Sequence, residues 1–384
     1  MTAVLPDRGV AVAPEEWDHL AGGHFYSTSA WLSFSGAEPG ARSGAAVHYL
    51  DGNLVGAVPV AELTAPPMPL YRWNDLLSSY DLPVLPSTGL LVGPRQGYQT
   101  HFLVSESTSA VTLVADLIGE VRRLHALVGR GGECACVAMY LTTRDALAIR
   151  DAEVAAQPVL LGADAWLKIA PGGWSAWLDS LRSRHRVKKI RKEVRRFREA
   201  GYEIIHMPLS ECYDKLAVAA ASTQSKYGNA GSPEDYLAAL RRYADGMGVA
   251  AKVAVCSRRG DHPVGFCIYF VWGGTVFLRW CGFDYKRLIG GAAEYFNLLY
   301  YNQIELAEER GVRWIHAGIK SPEAKARRGA ELRPLWLVDL VEDSVLTRVT
   351  DQVRQHNMRG YQRLVEDGQT AAALVDRDSW QVFL

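Results

Sequence analysis

The stretch from Phe277 to Arg333 constrains the fold of this chain more than any other part of the sequence. Its first segment, Phe277 to Phe283, is apolar and aromatic apart from Arg279, as expected of a buried strand. The polar run from Asp284 to Arg287 would end that strand. A guanidinium inside an apolar strand must find a partner, either a structural carboxylate or a substrate, so Arg279 is a candidate site residue.

A helix and a second strand are predicted to follow. Gly290 and Gly291 open a helix that is apolar almost all round over Tyr295 to Tyr301, which indicates a central, buried helix. Gly311 stands where a left-handed cap would end the helix, and Arg313 to Ala317 forms the second strand. A strand that passes through a glycine-containing loop into a helix presents free backbone N–H groups, which suit a phosphate or a developing oxyanion.

Length and composition limit the class of protein. A chain of 384 residues is long enough for two domains of ordinary size. The 42 basic and 42 acidic residues cancel, so any affinity for a polyanion must come from local clustering. The six cysteines show neither zinc spacing nor a disulfide framework, so we expect core thiols, no metal and no bound cofactor. The sequence shows no signal-peptide pattern and no apolar run of about eighteen residues, which predicts a cytoplasmic protein without a membrane span.

Two pairs of segments resemble each other in the same order along the chain. Val10 to Trp17 resembles Leu167 to Trp174, and each predicts a short strand, a Pro and a Trp that opens a helix. Val47 to Gly56 resembles Val253 to Gly265, and each predicts a strand, a polar turn and a second strand. Two matches in one order indicate a duplicated domain.

We place the domain boundary near Asp164, after a Leu-Leu-Gly-Ala-Asp turn signal. The expected domains are residues 1–164 and residues 165–384. The second domain would carry a basic helix over residues 182–200 and a C-terminal amphipathic helix over residues 343–365.

The segment from Arg182 to Arg198 has the most unusual composition in the chain, with ten Lys or Arg side chains and one acid. Four apolar residues recur at helical spacing and form one narrow stripe: Val187, Ile190, Val194 and Phe197. The pattern predicts a helix that ends at Gly201 and is basic on its other faces. A solvated helix face is the alternative, but the single-sign density favours an anion partner because like charges on adjacent turns repel. The expected nucleic-acid contacts are Arg184, Arg186, Lys188, Lys189, Arg191, Lys192 and Arg195.

Several segments are similar to the FemAB-like branch of the GNAT acyltransferase superfamily. They read SLRSRHRVKKIRKEVRRFREAGYE, VGFCIYF, EYFNLLYY and KSPEAKARRGAELRPLW. The resemblance implies an α/β (α+β) fold of two tandem GNAT-like domains, each a mixed, mostly antiparallel sheet flanked by helices.

The same resemblance implies an enzyme that forms an amide by moving an activated acyl or aminoacyl group to an amine. Aminoacyl-tRNA is the leading expected donor, and the amine of a small metabolite is the expected acceptor, as in natural-product or antibiotic biosynthesis. A thioester of coenzyme A or of an acyl carrier protein is the alternative donor, although neither copy has an intact GNAT pyrophosphate loop. FemA's helical coiled-coil insertion is not evident, which argues against a cell-wall role. A non-catalytic nucleic-acid-binding protein that uses the basic helix alone is the alternative from another class.

Such a reaction needs a neutral amine held against the carbonyl, a proton acceptor and donors for the oxyanion, but no covalent nucleophile. Asp284 is the first candidate for the proton acceptor or amine anchor, with a turn cap as the alternative. His316 is a further candidate, with a core histidine as the alternative. The loop after the second strand is basic and suits a phosphate or a carboxylate. The expected catalytic residues are Asp284, Arg279, His316 and Lys320.

The remaining candidates would line a cleft that binds both substrates. The aromatic and polar loop from Tyr71 to Pro83 is typical of a pocket wall. The expected substrate-binding residues are Trp73, Asn74, Tyr80, Asp81, Tyr227, Tyr295, Lys325 and Arg328. A core position is the alternative for the four aromatic residues, because the chain has 17 Tyr and 11 Trp. The expected donor-binding residues are Arg95, Gln96 and Gly97, which resemble the GNAT pyrophosphate loop, together with Gly290 and Gly291. A plain turn is the alternative for residues 95–97.

Overall fold

The computed structural model describes residues 12–106, 110–129, 133–152, 154–181, 183–229, 231–258 and 261–384. The chain forms two compact units. The first unit contains the chain up to Asp164, Ile319–Glu323 and Leu332–Leu384; the second contains Ala165–Gly318 and Ala324–Glu331. The start of the first repeated segment, at Val10, lies outside the described residues.

The first unit is a mixed sheet flanked by helices. Its strands before Asp164 are β1 (Ala41–Leu50), β2 (Asn53–Leu63), β3 (Gly89–Val92), β4 (Leu103–Val104), β5 (Ala135–Leu141) and the first half of β6 (Val159–Lys168). Its helices before Asp164 are α1 (Pro14–Ala21), α2 (Ser29–Gly36), α3 (Trp73–Ser79), α4 (Ala110–Val128) and α5 (Thr143–Asp151). Strand β3 runs parallel to β5, whereas β1 and β3 each pair antiparallel with β2.

The second unit has the same kind of sheet. Its strands are the second half of β6, β7 (Tyr202–Pro208), β8 (Lys252–Arg258), β9 (Gly265–Trp272), β10 (Thr275–Phe283) and β11 (Trp314–Gly318). Its helices are α6 (Gly173–Ser180), α7 (Arg184–Glu199), α8 (Ala217–Lys226), α9 (Pro233–Met247), α10 (Glu294–Phe296), α11 (Asn302–Glu305) and most of α12 (Pro322–Ala326), with a π-helical segment, Asn297–Tyr301, between α10 and α11. The strand order is β6-β11-β10-β9-β8-β7, and only the β10–β11 pair is parallel among the described strands of this unit.

Both units repeat one order of elements. In each unit an antiparallel hairpin is followed by a strand, then by a helix, and then by a second strand that runs parallel to the strand before the helix. These elements are β1–β2, β3, α4 and β5 in the first unit, and β8–β9, β10, α10–α11 and β11 in the second. Val47 and Val253, which the sequence matched, lie in the first strand of each hairpin. The predicted fold class, a mixed and mostly antiparallel sheet flanked by helices in each half, is confirmed.

The C-terminal part of the chain differs from the expected domain division. Its elements are β12 (Glu331–Asp339), α13 (Thr350–Glu366), α14 (Gly368–Ala371) and α15 (Arg377–Gln381). Residues 332–384 belong to the first unit, whereas the predicted second domain comprised all of 165–384. The physical reason is that β12 is apolar on both faces and lies between β5 and β6, a central position that buries both faces.

Helix α13 holds the C-terminal segment to the first unit. It begins at Thr350, later than expected, because Ser344 starts a turn in which its hydroxyl accepts a hydrogen bond from the backbone N–H of Leu346 at 3.1 Å. The fully buried Asn357 side chain accepts from the Leu160 N–H at 2.8 Å and donates to the carbonyls of Pro158 and Phe383 at 2.9 and 2.8 Å. Within the described residues, no helix combines the length and apolar character needed to cross a membrane.

We expect Asn357→Ala to lower the free energy of unfolding by about 3 kcal/mol, because three backbone groups would lose their buried hydrogen-bond partner. Urea denaturation followed by circular dichroism measures this change. Met358→Ala is the matched control: it alters the next residue of the same helix, whose side chain is 45% exposed, and should change stability by no more than about 0.5 kcal/mol. Equal stability of the two variants would show that the Asn357 hydrogen bonds contribute nothing to the free energy of unfolding.

Candidate active site

Strands β10 and β11 separate in the middle of the second unit's sheet. Their parallel pairing covers three positions and ends where Phe277 faces His316, although both strands continue. Just beyond this point the register of β10 against β9 shifts, because Leu278 faces Tyr269 and Trp280 faces Ile268. Arg279 is therefore the extra residue of a β-bulge, a feature that bends a strand and redirects its side chains. The bulge and the end of pairing open the sheet between β10 and β11.

Polar side chains lie around this opening. The Lys325 ammonium, from α12, is 4% exposed and donates to the Gly318 carbonyl, at the end of β11, at 2.7 Å. Cys281 lies on β10 past the bulge and is affected electrostatically by Lys325. The hydroxyls of Tyr295 and Tyr300 lie 3.3 Å apart, and the Tyr295 ring packs against Phe283. The opening thus brings together a cation, a thiol and two phenols.

The protonation states of these groups follow from burial. Burial raises the pKa of the Cys281 thiol to about 11, against the opposing effect of the Lys325 ammonium. Burial likewise raises the pKa of the Tyr295 and Tyr300 hydroxyls above the usual value. At neutral pH the thiol and both phenols therefore keep their protons. They can donate to an oxygen that gains negative charge, and the thiol is not a competent nucleophile.

A buried ion pair fixes the basic helix α7 beside this opening. The Arg328 guanidinium contacts the Glu193 carboxylate at 3.0 Å, and their side chains are 9% and 13% exposed. Arg328 also donates to the Tyr301 hydroxyl at 3.2 Å and lies over the Phe296 ring, while Tyr301 donates to Glu193. Glu193 is the one acid of the segment 182–198, and its carboxylate contacts Arg328 and Tyr301 on the buried side of the helix.

The exposed surface of α7 is consequently basic. The predicted stripe is observed, with Ile190, Val194 and Phe197 buried. Arg195 contacts Glu199 at 3.5 Å and Arg198 contacts Glu305 at 3.0 Å, so these two cations are partly compensated. Six exposed cations have no carboxylate within 4 Å among the described residues: Arg184, Lys188, Lys189, Arg191, Lys192 and Arg196. Arg186 is half-buried, and burial lowers its pKa.

The glycine loop contacts the same helix. Gly291 has a φ of +85°, and a Cβ added there would lie 3.3 Å from an Arg196 guanidinium nitrogen. A side chain at position 291 would therefore be strained and would press on Arg196. The regular helix begins at Glu294, and not at Gly290 as expected, and it continues as a π-helical segment. Gly290 and Gly291 thus lie in a loop before the helix, next to a cation of α7.

Other predicted residues of the site have structural contacts. Asp284 closes a turn, in which its carboxylate accepts from the Lys286 N–H at 3.2 Å, as its alternative interpretation proposed. His316 is fully buried between the rings of Trp166 and Phe277, which matches the alternative of a core histidine. Lys320 is exposed on the turn after β11 and belongs to the first unit. The surroundings of Asp284, His316 and Lys320 thus do not favour a catalytic role.

The first-unit candidates are held by contacts inside that unit. The Trp73 indole donates to Pro86, Asn74 exchanges hydrogen bonds with Leu85, and Tyr80 stacks on His356. Asp81 is exposed at a turn with a φ of +59°. Residues 71–83 therefore do not form an open pocket wall. They form a short helix, α3, and supply Tyr71, Trp73 and Leu77 to the core.

Residues 95–97 also form a structural turn. The Arg95 guanidinium donates to the carbonyls of Gly36, Glu38 and Pro39, and the Gln96 carbonyl accepts from the Trp31 indole at 2.8 Å. A Cβ on Gly97 would lie 2.8 Å from the Tyr26 ring. Arg95 borders a cavity of about 650 Å³ in the first unit, but its donors are directed to protein carbonyls. The structure thus supports the plain-turn alternative for this loop.

Several residues beside the opening or the helix were not predicted from the sequence, among them Glu193, Tyr300, Arg196 and Cys281. Glu193 could have been found, because a single acid at the edge of the apolar stripe of a basic helix indicates a buried partner. Tyr300 and Arg196 carry no such signal, since neighbouring tyrosines and arginines have the same spacing. Among the described residues, no group of three or more His, Cys, Asp or Glu side chains could hold a metal ion.

Solved structures with the same fold belong to proteins of related kinds. The chain is similar to FemX, with 10% sequence identity and a TM-score of 0.61 over 88% of this chain and 98% of that one. It is also similar to L-PGS from Bacillus licheniformis, with 14% identity and a TM-score of 0.54 over 90% and 97% of the two chains. A third similar structure is the C-terminal domain of a putative lysylphosphatidylglycerol synthetase from Agrobacterium fabrum, with 10% identity and a TM-score of 0.51 over 88% and 94%. No curated protein matches the chain in sequence.

The chain shares the fold of these structures. The expected enzyme class, an acyltransferase, is confirmed by the family to which the chain belongs. The family model of FemAB-like proteins, described as peptidoglycan biosynthesis/recognition, matches residues 92–373. The chain belongs to this family, as the sequence resemblance indicated.

Cys281→Ser should retain activity within about threefold, because a thiol with a pKa near 11 is less than about 0.1% ionised at pH 8 and cannot serve as the nucleophile. The rate of thiol alkylation by iodoacetamide should rise with pH up to about 11. Mass spectrometry during turnover checks the same point, since we expect no acyl group on the enzyme. An acyl adduct on Cys281 would contradict direct transfer.

Lys325→Met and Arg279→Ala should each lower kcat/KM by about 10²-fold or more, because each removes a cation beside the opened strands. Thermal unfolding checks that the fold survives, and Met retains most of the volume of the buried Lys side chain. Arg327→Ala is the matched control, since it removes an exposed cation from the same loop. Full activity in both test variants would remove the opening between β10 and β11 from consideration.

Proposed function

We propose that this protein is an aminoacyltransferase that moves an aminoacyl group from a charged tRNA to an amine. The observation that carries the proposal is the exposed face of helix α7, where six cations have no carboxylate partner among the described residues. The protein as a whole has no net charge, so this field is local and belongs to one helix.

The spacing of these cations favours a bound polyanion over a solvated face. Arg184, Lys188, Lys192 and Arg196 follow one another at intervals of four residues, so their charges lie on adjacent turns of one face. Each such like-charged pair destabilises a helix by about 0.2–0.5 kcal/mol. A bound phosphate backbone would neutralise these charges, and each contact would strengthen binding because it releases condensed counterions.

The opening between β10 and β11 is where we place the chemistry. The acceptor amine attacks the ester carbonyl, a C–N bond forms, and the bond between the carbonyl carbon and the ribose oxygen breaks. The proton lost by the amine ends on that ribose oxygen. Lys325 and the Tyr295–Tyr300 pair supply donors for the oxygens that gain charge, and Arg279 at the bulge holds the acyl carbonyl side of the site.

We infer that the acceptor is the amine of a peptidoglycan precursor. The family description names peptidoglycan, and this supports a cell-wall acceptor, which the sequence analysis had set aside for lack of a coiled-coil insertion. A small metabolite of a natural-product pathway remains the alternative acceptor. We place the reaction in the cytoplasm, where charged tRNA is made.

A thioester donor is the alternative to charged tRNA. The Gly290–Gly291 loop supports it, because a glycine loop before a helix beside Arg196 suits the phosphates of coenzyme A or of a carrier-protein arm. The two donors differ in the number of phosphates that they offer to α7, and this difference can be measured.

Replacing Lys188, Lys189, Arg191 and Lys192 with Gln should weaken binding of charged tRNA and make its salt dependence shallower by about 3 in the slope of log K against log salt. Gln keeps helix propensity and leaves the apolar stripe unchanged, so the fold should survive. Filter binding between 50 and 300 mM salt, with turnover of the same tRNA, gives both quantities.

A control variant with Lys215, Arg241 and Arg242 replaced by Gln removes exposed cations from other elements of the second unit and should leave the slope unchanged. An unchanged rate with charged tRNA in the four-residue variant would rule out α7 as the tRNA site. Transfer from an acyl carrier protein that is lost in this variant would instead support the thioester donor.

A further inference from the structure

We propose that Tyr227 stacks on an unpaired base at the 3′ end of the donor, and this rests on the proposed tRNA donor. Tyr227 directly follows helix α8 and its side chain is 70% exposed, more than any other aromatic side chain among the described residues. The next most exposed Tyr, Phe or Trp in the described part of the chain is Tyr49 of the first unit, at 41%. An aromatic ring this open to solvent offers a flat apolar face on which a base can stack.

The turn that presents Tyr227 is ordered. The Tyr227 N–H donates to the Gln224 carbonyl at 3.0 Å, and the Gly228 N–H donates to the Ser225 carbonyl at 3.1 Å. The Asn229 side-chain amide donates to the side-chain oxygen of Gln224 at 2.8 Å, and its backbone N–H donates to the Gln224 carbonyl. The backbone that carries the ring is thus fixed, so a stacking base has to restrict only the side-chain torsions of Tyr227.

The same helix end is attached to the opened strand. The Thr223 hydroxyl accepts from the Phe283 N–H at 2.6 Å, at the end of β10, and the Ser222 hydroxyl accepts from the Tyr285 N–H at 3.2 Å. The Lys226 ammonium lies 3.9 Å from the centre of the Tyr285 ring. Tyr227 is also close enough to Tyr295 to influence it electrostatically. The exposed ring of Tyr227 thus lies near the Lys226 ammonium and near Tyr295 at the opening.

The loop that follows β10 also contacts the basic helix. Gly291 approaches Arg196, and the Asn297 amide donates to the Glu193 carbonyl at 3.5 Å. The segment 284–297 therefore contacts α7 through Gly291 and Asn297, and contacts Lys226 through Tyr285. This adjacency suits a polynucleotide whose phosphates lie along α7 and whose terminal bases lie beside the opening.

The chemistry of a charged tRNA requires such an arrangement. Its aminoacyl ester is on the ribose at the end of a short unpaired tail, so the terminal bases must come close to the opening when the ester reacts. Unpaired bases are commonly held by stacking on aromatic rings, which tolerates any base because every base has a π-face. Lys226 would meet a phosphate of the same tail.

The test uses tRNA whose 3′-terminal adenine is replaced by 2-aminopurine, whose fluorescence is quenched by stacking. We expect quenching on binding to the wild-type protein. Tyr227→Ala should abolish the quenching and weaken binding about 5- to 150-fold, whereas Tyr227→Phe and Tyr227→Trp should retain both. Tyr49→Ala is the matched control and should behave like the wild type.

The outcomes separate this proposal from the proposed donor. Tyr227→Ala should leave the salt slope unchanged because it removes no charge, whereas the four-residue variant of α7 should flatten the slope and keep the quenching at saturation. If the wild type binds tRNA with a steep salt dependence but Tyr227→Ala still quenches fully with the same affinity, the stacking proposal is wrong and the donor stands. If the wild type binds no tRNA, both are wrong.

Discussion

The ion pair between Glu193 and Arg328 is the interaction on which the rest of the second unit's site depends. Burying two charges costs free energy, and the structure offsets this cost with a direct contact of 3.0 Å and with the Tyr301 hydroxyl between them. The pair joins helix α7 to the segment that follows β11. Because Lys325 lies one helical turn before Arg328, the same pair also fixes the segment that directs the Lys325 ammonium to the end of β11. Removing either partner would leave the other charge buried, so the basic helix and the site lysine are held by one constraint.

The second constraint is the short parallel pairing of β10 and β11. A parallel pair that continued to the ends of both strands would fill the space between them with its own hydrogen bonds. Here pairing ends after three positions, and the bulge at Arg279 turns β10 away. Past that point the two strands no longer pair with each other: the Gly318 carbonyl accepts from Lys325, and the Phe283 N–H donates to the Thr223 hydroxyl. The neighbouring phenols and the Cys281 thiol remain protonated because they are buried, so the opening is rich in donors and poor in bases. Such a site suits a donor ester that is already activated, since the protein has to stabilise an oxyanion and not to form a covalent intermediate.

Local sequence patterns predicted much of this structure, and non-local contacts limited the rest. The helix expected over residues 182–200 is observed at Arg184–Glu199 because its apolar spacing and its glycine end are local signals. Strands β10 and β11 are observed within two residues of their expected bounds for the same reason. The return of β12 to the first unit could not be predicted, since a strand that is apolar on both faces does not indicate which two strands will enclose it. The contacts of Asp284 and His316 were equally hidden, because one sequence position is compatible with both a catalytic and a structural partner. Arg279 and Lys325 were recognised as cations in apolar or basic surroundings, and the structure places Arg279 at the bulge of β10 and the Lys325 ammonium at the end of β11.

The two units show how one order of elements can produce an open site in one copy and a closed one in the other. In the first unit, the parallel pair β3–β5 also stops early, where Val92 faces Ala138. The chain then returns, so that Thr100 bridges Leu141 and its N–H donates to the Tyr140 carbonyl at 2.9 Å. The Phe102 N–H donates to the buried Asp145 carboxylate. A Cβ added to Gly93 would lie 2.2 Å from the Thr100 hydroxyl oxygen, so only glycine fits there. Thr100 thus lies beside β5 past the point where the pairing with β3 ends. In the second unit, the loop after β10 passes instead into the helix that starts at Glu294, and no described strand takes the equivalent position beside β11. Among the described strands, the space past the end of the parallel pair is therefore filled in the first unit and left open in the second.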